Sequence, residues 1–228
     1  AAGASRPALY TRAARVFPLP VHATSLFAET SGPALALVGT SFSNRYQRDA
    51  YRVADAIAHY SGASVENFSI SGGGVTAAME AFIRSGRMAD FKTVVWEAPY
   101  TAPLTDVSAL HQILGALISQ RHAGAAAEQV VELSSDWVSV TPEIALTDSK
   151  AIEVRIAGVE TGQLDVELYG ADKTKARIKL RKTDRVSADL RSDVWTVALG
   201  DIDPATITRI KFRLKGVSGV KVANLRTL

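Results

Sequence analysis

The sequence contains no cysteine, and this absence excludes several kinds of chemistry. Without thiols, the chain of 228 residues cannot form disulfides, use a thiolate nucleophile or bind a metal through cysteine. The absence of cysteine does not identify the cellular compartment, because cysteine-free proteins suit both the cytosol and the periplasm. No apolar run approaches the roughly 18 residues that a membrane-spanning helix needs, so no transmembrane helix is predicted.

A secretory signal is also absent from the sequence. Residues 1–7 read Ala-Ala-Gly-Ala-Ser-Arg-Pro, with no charged start followed by an apolar stretch. We therefore expect that any signal peptide has already been removed. What is present is a 47% content of apolar residues with scattered charge, which is typical of a globular protein that buries a core.

The charges are distributed unevenly along the chain. Residues 151–228 hold 15 Lys and Arg against 10 Asp and Glu, a net charge of +5. The first 150 residues hold 11 against 13, a net charge of −2, and the whole chain is +3. A basic C-terminal part indicates an anionic partner, although an excess of this size also suits a solvated surface.

Residues 34–120 alternate between short apolar runs and helical patterns. Strands are predicted at 34–38, 65–70 and 92–98, and helices at about 47–60, 75–83 and 107–120. Strand–helix repeats with short connections predict a doubly wound parallel sheet with helices on its faces. Three strands are few for such an α/β sheet, since sheets usually have about five. We therefore expect either a minimal sheet or an incomplete one, in a chain that is the C-terminal part of a longer protein.

The pattern changes to period two after the Ala/Gly-rich residues 123–127. Alternating runs cover 152–156, 164–168, 176–180, 194–199 and 210–214. Short alternating strands separated by turn residues predict an all-β sandwich. We place the boundary near residue 128, which gives an α/β domain of residues 1–128 and a β-sandwich domain of residues 129–228.

The loop after the first predicted strand reads Gly39-Thr-Ser-Phe-Ser-Asn44. It places Ser41 at the carboxyl end of a parallel strand, which is where open α/β sheets bind ligands. Backbone N–H groups near a helix N-terminus suit an oxyanion. The same residue types also suit an ordinary helix cap, so this loop alone leaves both interpretations open.

The next loop favours the catalytic interpretation. It reads Asn67-Phe-Ser-Ile-Ser-Gly72 and follows the second predicted strand. Together, the two loops resemble the first two sequence blocks of the SGNH hydrolases. That resemblance implies that Ser41 is the nucleophile and that the N–H groups of Gly72 and Ser41 form the oxyanion hole. Removal of one such donor usually costs about 3 kcal/mol of transition-state stabilisation.

Two elements of the SGNH pattern are missing. The third strand leads into Trp96-Glu-Ala-Pro-Tyr100 instead of an asparagine, and no late Asp-x-x-His follows. Asp106 and His111 are five residues apart, and His111 is expected to be an ordinary surface or half-buried helix residue. The remaining histidines, His22, His59 and His122, have no carboxylate at a suitable spacing.

A narrower family accounts for both absences. The strings Leu35-Ala-Leu-Val-Gly-Thr-Ser-Phe-Ser43 and Val94-Val-Trp-Glu-Ala-Pro99 resemble the alginate O-acetyltransferases of the AlgX and AlgJ type. In that family an Asp-x-His pair precedes the serine, and in AlgX-like members a carbohydrate-binding β-sandwich follows the catalytic domain. The resemblance implies that the Asp-x-His and the rest of the sheet lie upstream of residue 1.

Two strands of the second domain carry alternating basic residues. Lys175, Arg177, Lys179 and Arg181 occupy one, and Lys211 and Arg213 lie on another. If these strands are neighbours, they form a cationic face that suits uronate carboxylates or phosphates. A solubilising outer face is the alternative. No nucleic-acid motif is present. Trp137 and Trp195 are expected in the core rather than as sugar-stacking platforms.

The sequence therefore predicts an O-acetyltransferase that acts on an exported bacterial polysaccharide through an acetyl-serine intermediate, without a cofactor or a metal. The candidate substrate-binding residues beside the motifs are Asn44, Arg45, Tyr46 and Tyr100. The expected partners are an anionic polysaccharide such as a polyuronate and other exopolysaccharide-assembly proteins, in the periplasm. An esterase or polysaccharide deacetylase and a non-catalytic polysaccharide-binding protein are the alternatives.

Overall fold

The computed structural model describes residues 34–44, 52–100, 106–122, 128–144, 146–200 and 202–228 of the chain. All of them belong to one compact unit that comprises residues 32–228. Within the described ranges, no helix has the length and apolar character that crossing a membrane requires.

The first part of this unit is a parallel sheet with helices packed against it. Its elements are β1 (Leu35–Val38), α1 (Val53–Ser61), β2 (Val65–Asn67), α2 (Gly74–Arg84), β3 (Thr93–Trp96) and α3 (Val107–Arg121). The strands lie in the order β2-β1-β3, and both pairings are parallel. The predicted alternation of strands and helices is confirmed, although β2 ends three residues earlier than the sequence indicates.

An apolar core joins the sheet to α2 and α3. Phe82 of α2 is fully buried, and its ring centroid lies 4.7 Å from that of Phe68 and 5.7 Å from that of Phe91. Ala36 and Val38 of β1 belong to the same cluster. Because β1 is the central strand and is buried, the loop that follows it starts from a fixed position.

The second part of the unit consists of antiparallel strands, as the period-two pattern predicts. They are β4 (Glu128–Leu133), β5 (Val138–Val140), β6 (Ala151–Ile156), β7 (Gly162–Gly170), β8 (Lys175–Lys182), β9 (Val194–Ala198), β10 (Ile207–Lys215) and β11 (Lys221–Thr227). Two four-stranded sheets have the orders β5-β10-β7-β8 and β4-β11-β6-β9. Apolar residues of both sheets share one core, in which Trp195 and Phe212 are fully buried.

Helix α3 packs against this β-rich part. At Gly115 it approaches β9 so closely that a Cβ atom would overlap the backbone of Thr196. The side chains of Ser108 and Gln112 accept hydrogen bonds from backbone N–H groups of β8, at 3.1 and 3.0 Å. Both packing and hydrogen bonds therefore join α3 to the β-rich part. The domain boundary near residue 128 stays a prediction, although β4 begins there.

Lys182, the last residue of β8, is a half-buried cation whose ammonium group is enclosed by the fold. Its ammonium group donates hydrogen bonds to the backbone carbonyls of Ser192 and Val194, both at 2.6 Å, and lies 4.9 Å from the centre of the Trp195 ring. Burial lowers the pKa of Lys182 to about 8, and the attraction of Glu80 opposes this shift only in part. The fold therefore holds the charge at a cost in free energy.

We expect the free energy of unfolding to rise between about pH 8 and pH 10.5 because of Lys182. The unfolded chain keeps the ordinary pKa of 10.5, so in this interval it binds more protons than the folded chain. The expected rise is about 3 kcal/mol. Urea unfolding across the interval should show that the wild type gains stability relative to Lys182→Met. The exposed Lys179→Met is the control. A difference in free energy of unfolding between the wild type and Lys182→Met that does not change with pH would contradict the prediction.

Candidate active site

The turn after β1 begins one residue before Ser41. The carbonyl of Thr40 accepts hydrogen bonds from the N–H groups of Ser43 and Asn44, both at 3.2 Å. The Thr40 hydroxyl accepts another from the Phe42 N–H, at 3.4 Å. These contacts coil the segment into a tight turn. Ser41 is half-buried within it, at the carboxyl end of the central strand.

The carboxylate of Glu97 holds this turn in place. Because β1 and β3 pair up to their last residues, Glu97 lies beside the start of the turn. It accepts hydrogen bonds from the Thr40 N–H at 2.7 Å, the Thr40 hydroxyl at 3.0 Å and the Ser43 hydroxyl at 3.2 Å. The donors flank Ser41 on both sides, so the orientation of the turn depends on this one carboxylate.

Gly39 allows β1 to approach this carboxylate. A Cβ atom at Gly39 would lie 2.6 Å from Oε2 of Glu97, 3.0 Å from its Cβ and 3.0 Å from the Ser69 hydroxyl oxygen. Any side chain would therefore push Glu97 away from the turn. The glycine that follows the strand thus has a packing role in addition to ending it.

The loop after β2 lies beside the turn, as expected for neighbouring parallel strands. The Ile70 N–H donates to the Gly39 carbonyl at 2.9 Å. The side-chain amide of Asn67 donates to the Ser43 carbonyl at 3.0 Å. The loops that follow the two strands therefore meet at the carboxyl edge of the sheet, where α/β proteins bind ligands.

Gly72 lies in the exposed part of the second loop, two residues before α2 begins. Its backbone φ of +78° is in the left-handed region that favours glycine. An open depression of about 480 Å³ is lined by polar residues of both loops, including Asn44, Ser69 and Ser71. Its volume is in the range of small-molecule sites. The oxyanion role of Gly72 and the nucleophile role of Ser41 stay predictions.

Asp106 and His111 do not form a catalytic pair. The Asp106 carboxylate caps α3 and accepts hydrogen bonds from the N–H groups of Ser108 and Ala109, at 3.0 and 3.4 Å. His111 is bonded through Nδ1 to the Ala198 carbonyl of the β-rich part, at 2.6 Å. The expectation that His111 is an ordinary half-buried helix residue is confirmed.

The other histidines do not supply a base for Ser41 either. His59 is exposed on α1, and His122 is bonded through Nδ1 to the Ile118 carbonyl, at 3.0 Å. His22 lies outside the described residues. In the part of the chain that the structure describes, no hydrogen bond joins a histidine to Ser41, and no cluster of three His, Asp or Glu residues is placed to hold a metal.

The predicted substrate-binding residues beside the turn are partly described. Tyr100 is 95% exposed, and Asn44 is exposed at the depression. Arg45 and Tyr46 lie outside the described residues. The binding role of all four residues stays a prediction. The exposure of Tyr100 and Asn44 is compatible with it.

The two basic strands, β8 and β10, are not neighbours, so the condition for one continuous cationic face is not met. β7 lies between β8 and β10 and pairs with both. Because β7 contributes Asp165 and Glu167 to the same side of the sheet, two carboxylates interrupt the cationic face. The alternation along each strand is confirmed, since the apolar residues are buried and the basic ones are exposed or half-buried. The basic residues of this face are Lys175, Arg177, Lys179, Arg181, Arg209, Lys211, Arg213 and Lys215.

Asp165 is the centre of this charged face. It is fully buried, and its carboxylate lies 2.5 Å from Arg213, 3.2 Å from Lys215 and 3.7 Å from Arg177. Burial opposes ionisation of Asp165. Hydrogen bonds from Arg213, Gln163 and Lys215 outweigh this effect and hold the pKa of Asp165 below its ordinary value. The carboxylate is therefore ionised in the fold and fixes the cations around it.

Replacement of Asp165 with asparagine is expected to lower the free energy of unfolding by about 2 kcal/mol. Loss of one partner of a buried ion pair costs about 3 to 5 kcal/mol, and here the remaining cations partly reach water. Because folding lowers the pKa, the stabilisation is present above 3.8 and is lost as the pH falls further. Urea unfolding at neutral and acid pH checks both statements. Glu132→Gln, an exposed change on the other sheet, is the control, and equal losses would contradict the expectation.

Two aromatic rings lie among these cations. The guanidinium groups of Arg213 and Arg177 lie 4.6 and 5.7 Å from the centre of the Trp137 ring. Tyr169 on β7 is in contact with three further cations. The expectation that Trp137 belongs to the core is therefore wrong, whereas Trp195 is fully buried as expected. Such cation–π contacts hold long basic side chains in defined positions.

Comparison with known proteins agrees with this architecture. Residues 5–100 match the sequence model of a family described as SGNH hydrolase-like domain, acetyltransferase AlgX. A solved structure of AlgX from Pseudomonas aeruginosa is similar, with a TM-score of 0.64 and 20% sequence identity over 87% of this chain. The aligned region covers 50% of the Pseudomonas chain, so the present chain spans about half of its length. A search of curated protein sequences finds no match.

Two other solved structures are similar only in part. One is a glycoside hydrolase family 43 arabinoxylan arabinofuranohydrolase from Bacillus subtilis, with a TM-score of 0.27 and 13% identity over 46% of this chain and 22% of its own. The other is the SPBc2 prophage-derived protein YomS, with a TM-score of 0.24 and 10% identity over 47% of this chain and 100% of its own. These TM-scores are too low to support a conclusion.

The parallel sheet, the position of the two loops and the match of residues 5–100 indicate an SGNH-type fold. More narrowly, the fold is AlgX-like, with an SGNH hydrolase-like part followed by a β-rich region of antiparallel sheets.

Proposed function

We propose that this chain is the serine-bearing part of an O-acetyltransferase that acts on an exported bacterial polysaccharide. The observation that carries the proposal is the turn around Ser41. It stands at the carboxyl end of the central strand, and a neighbouring carboxylate holds it by three hydrogen bonds. A serine on an ordinary connecting loop does not need such support, whereas a nucleophile needs a fixed orientation.

The proposed reaction has two acyl-transfer steps. Ser41 Oγ attacks the carbonyl carbon of an acetyl ester and loses its proton to a general base, and the donor alcohol leaves with a proton. A hydroxyl of the polysaccharide then attacks the acetyl-serine, and Ser41 recovers its proton. The N–H groups of Ser41 and Gly72 stabilise the oxyanion in each step. The described histidines do not contact Ser41, so the base belongs outside the described residues.

The β-rich part is proposed to be a carbohydrate-binding β-sandwich that holds an anionic polymer such as a polyuronate. Its cationic face is larger than two carboxylates can neutralise, and arginine forks suit carboxylate groups. The aromatic rings of Trp137 and Tyr169 fix several of these cations in position. We place the protein in the bacterial periplasm, where exported polysaccharides and other assembly proteins meet.

A non-catalytic polysaccharide-binding protein is the second candidate. It is favoured by one observation, namely that no histidine hydrogen-bonds Ser41 within the described ranges. A serine hydroxyl without a general base is a poor nucleophile. In that case the α/β part would be a scaffold for the cationic face.

An acetyl-ester donor assay with and without an oligouronate acceptor separates the candidates. The acetyltransferase should gain the mass of one acetyl group and should pass this group to the acceptor. Release of acetate with no transfer would identify an esterase or a deacetylase. A protein that binds the oligouronate and never becomes acetylated would be the binding protein, and the proposal would fail.

A further inference from the structure

An arginine of the β-rich part lies against the proposed oxyanion loop. Arg185 is in the loop that follows β8, and its side chain covers Gly72. A Cβ atom placed at Gly72 would lie 3.4 Å from Nε, 3.5 Å from Cγ and 3.6 Å from Cδ of Arg185. These are ordinary van der Waals distances, so the Arg185 side chain lies directly beside Gly72, and the β-rich part reaches the candidate ester site at this point.

The loop around Arg185 is fixed, whereas its guanidinium group is not engaged. The backbone N–H of Arg185 donates to the Thr183 hydroxyl at 3.2 Å. Arg191 ties the loop down by donating to the carbonyls of Val186 and Asp184, at 2.8 and 2.5 Å. No ion pair or hydrogen bond of the Arg185 guanidinium occurs within the ranges that the structure describes. An exposed, unpaired guanidinium on a fixed loop is available to a ligand.

The depression beside Arg185 offers further polar groups. Asn44, Ser71 and Ser187 line it together with Arg185 and Ser69. The Ser69 side-chain oxygen is buried and has no hydrogen-bond partner in the described part of the chain. Buried hydroxyls are normally hydrogen-bonded, so an unpaired one at a cavity indicates a place for a ligand or a water. The groups suit a ligand with one negative charge and several hydroxyl or ether oxygens, as in a uronic acid unit.

We propose that Arg185 binds the carboxylate of the sugar unit that accepts the acetyl group, and so selects a charged acceptor at the ester site itself. This inference rests on the proposed function. A guanidinium fork can hold a carboxylate by two parallel hydrogen bonds. That contact would orient the sugar ring relative to Ser41, in addition to the polymer binding proposed for the more distant cationic face.

The test measures binding without turnover. In the Ser41→Ala background, isothermal titration gives the affinity for an oligouronate and for the same oligomer with its carboxylates reduced to alcohols. Arg185→Gln should weaken binding of the oligouronate about 10-fold or more, because a hydrogen bond to a charged group contributes about 1.5 to 3 kcal/mol. Binding of the reduced oligomer should change much less, and Arg185→Lys should recover part of the selectivity.

Arg121→Gln, at the exposed end of α3, removes the same charge elsewhere and should leave the selectivity unchanged. The inference fails if Arg185→Gln weakens both oligomers equally or neither, with circular dichroism confirming that the variant is folded. Failure of the proposed function is detected by a different measurement. In that case the acetyl-ester donor would not acetylate the protein with intact Ser41, whichever affinities the titrations give.

Discussion

Ser41→Ala is expected to reduce acetyl transfer by at least about 10³-fold, while the protein stays folded. The substitution removes the oxygen atom that would form the ester. In serine proteases, removal of the catalytic serine reduces the rate by more than the roughly 10³-fold loss expected here. The loss corresponds to about 4 kcal/mol of activation free energy. Mass spectrometry of the protein after reaction with an acetyl-ester donor should show one acetyl group on the wild type and none on the variant.

Ser43→Ala is the matched control in the same turn. Ser43 gives up one hydrogen bond to Glu97 when it is replaced, while Ser41 keeps its hydroxyl. A fall of several-fold is therefore expected, against about three orders of magnitude or more for Ser41. If Ser41→Ala retained the wild-type rate, or if the two variants lost activity equally, Ser41 would not be the nucleophile.

Glu97→Ala is expected to reduce the transfer rate by about 100-fold, because the turn loses the acceptor that orients it. An orientation error of about 1 Å at a reacting group is sufficient for a loss of this size. Glu97→Gln keeps one oxygen that can accept from the Thr40 N–H, so it should recover part of the rate. The rates are measured as kcat with the acetyl-ester donor, and the fall should lie in kcat rather than in KM.

A glutamate outside the site separates this effect from a loss of stability. Glu66 of β2 forms an ion pair with Arg87, with bonds of 2.5 and 2.9 Å, away from the turn. Glu66→Ala should lower the midpoint of thermal unfolding without a comparable change in kcat. Equal falls in kcat for Glu97→Ala and Glu66→Ala, or no recovery with glutamine, would show that Glu97 does not position the turn.

The sequence is sufficient to predict the elements of the α/β part because each has a strong local signal. Short apolar runs that end at glycine or proline mark β1 and β3, and both are found within two residues of the predicted bounds. The placement of the Ser41 and Gly72 loops at the same edge of the sheet also follows from local patterns. Successive parallel strands place their carboxyl ends at one edge, whatever the remaining sheet is.

The role of Glu97 could not be predicted, because it depends on which strand lies beside β1. In the sequence, the segment around Glu97 is recognised only by its resemblance to a family motif, which does not indicate what the carboxylate contacts. Its carboxylate reaches Thr40 and Ser43 because β3 pairs with β1 in register up to the last residues. An acidic residue directly after the third strand is the signal that could have indicated this contact.

The position of β7 is a second property that local patterns do not contain. Alternation correctly predicts which side of each strand is basic, but the sheet order decides what lies between two basic strands. The carboxylates of Asp165 and Glu167, and the contacts of Trp137, follow from that order. The same reason applies to Arg185, since it approaches Gly72 only in the folded chain.

The contact between α3 and β8 determines where the chain can be divided. β8 is the outer strand of its sheet, and Ser108 and Gln112 occupy hydrogen-bonding groups along its free side. A fragment that starts at Glu128 would expose these groups, and an unprotected sheet edge pairs with other chains and aggregates. We therefore expect a fragment of the β-rich part to need helix α3 in order to stay soluble, even though α3 precedes that part in the chain.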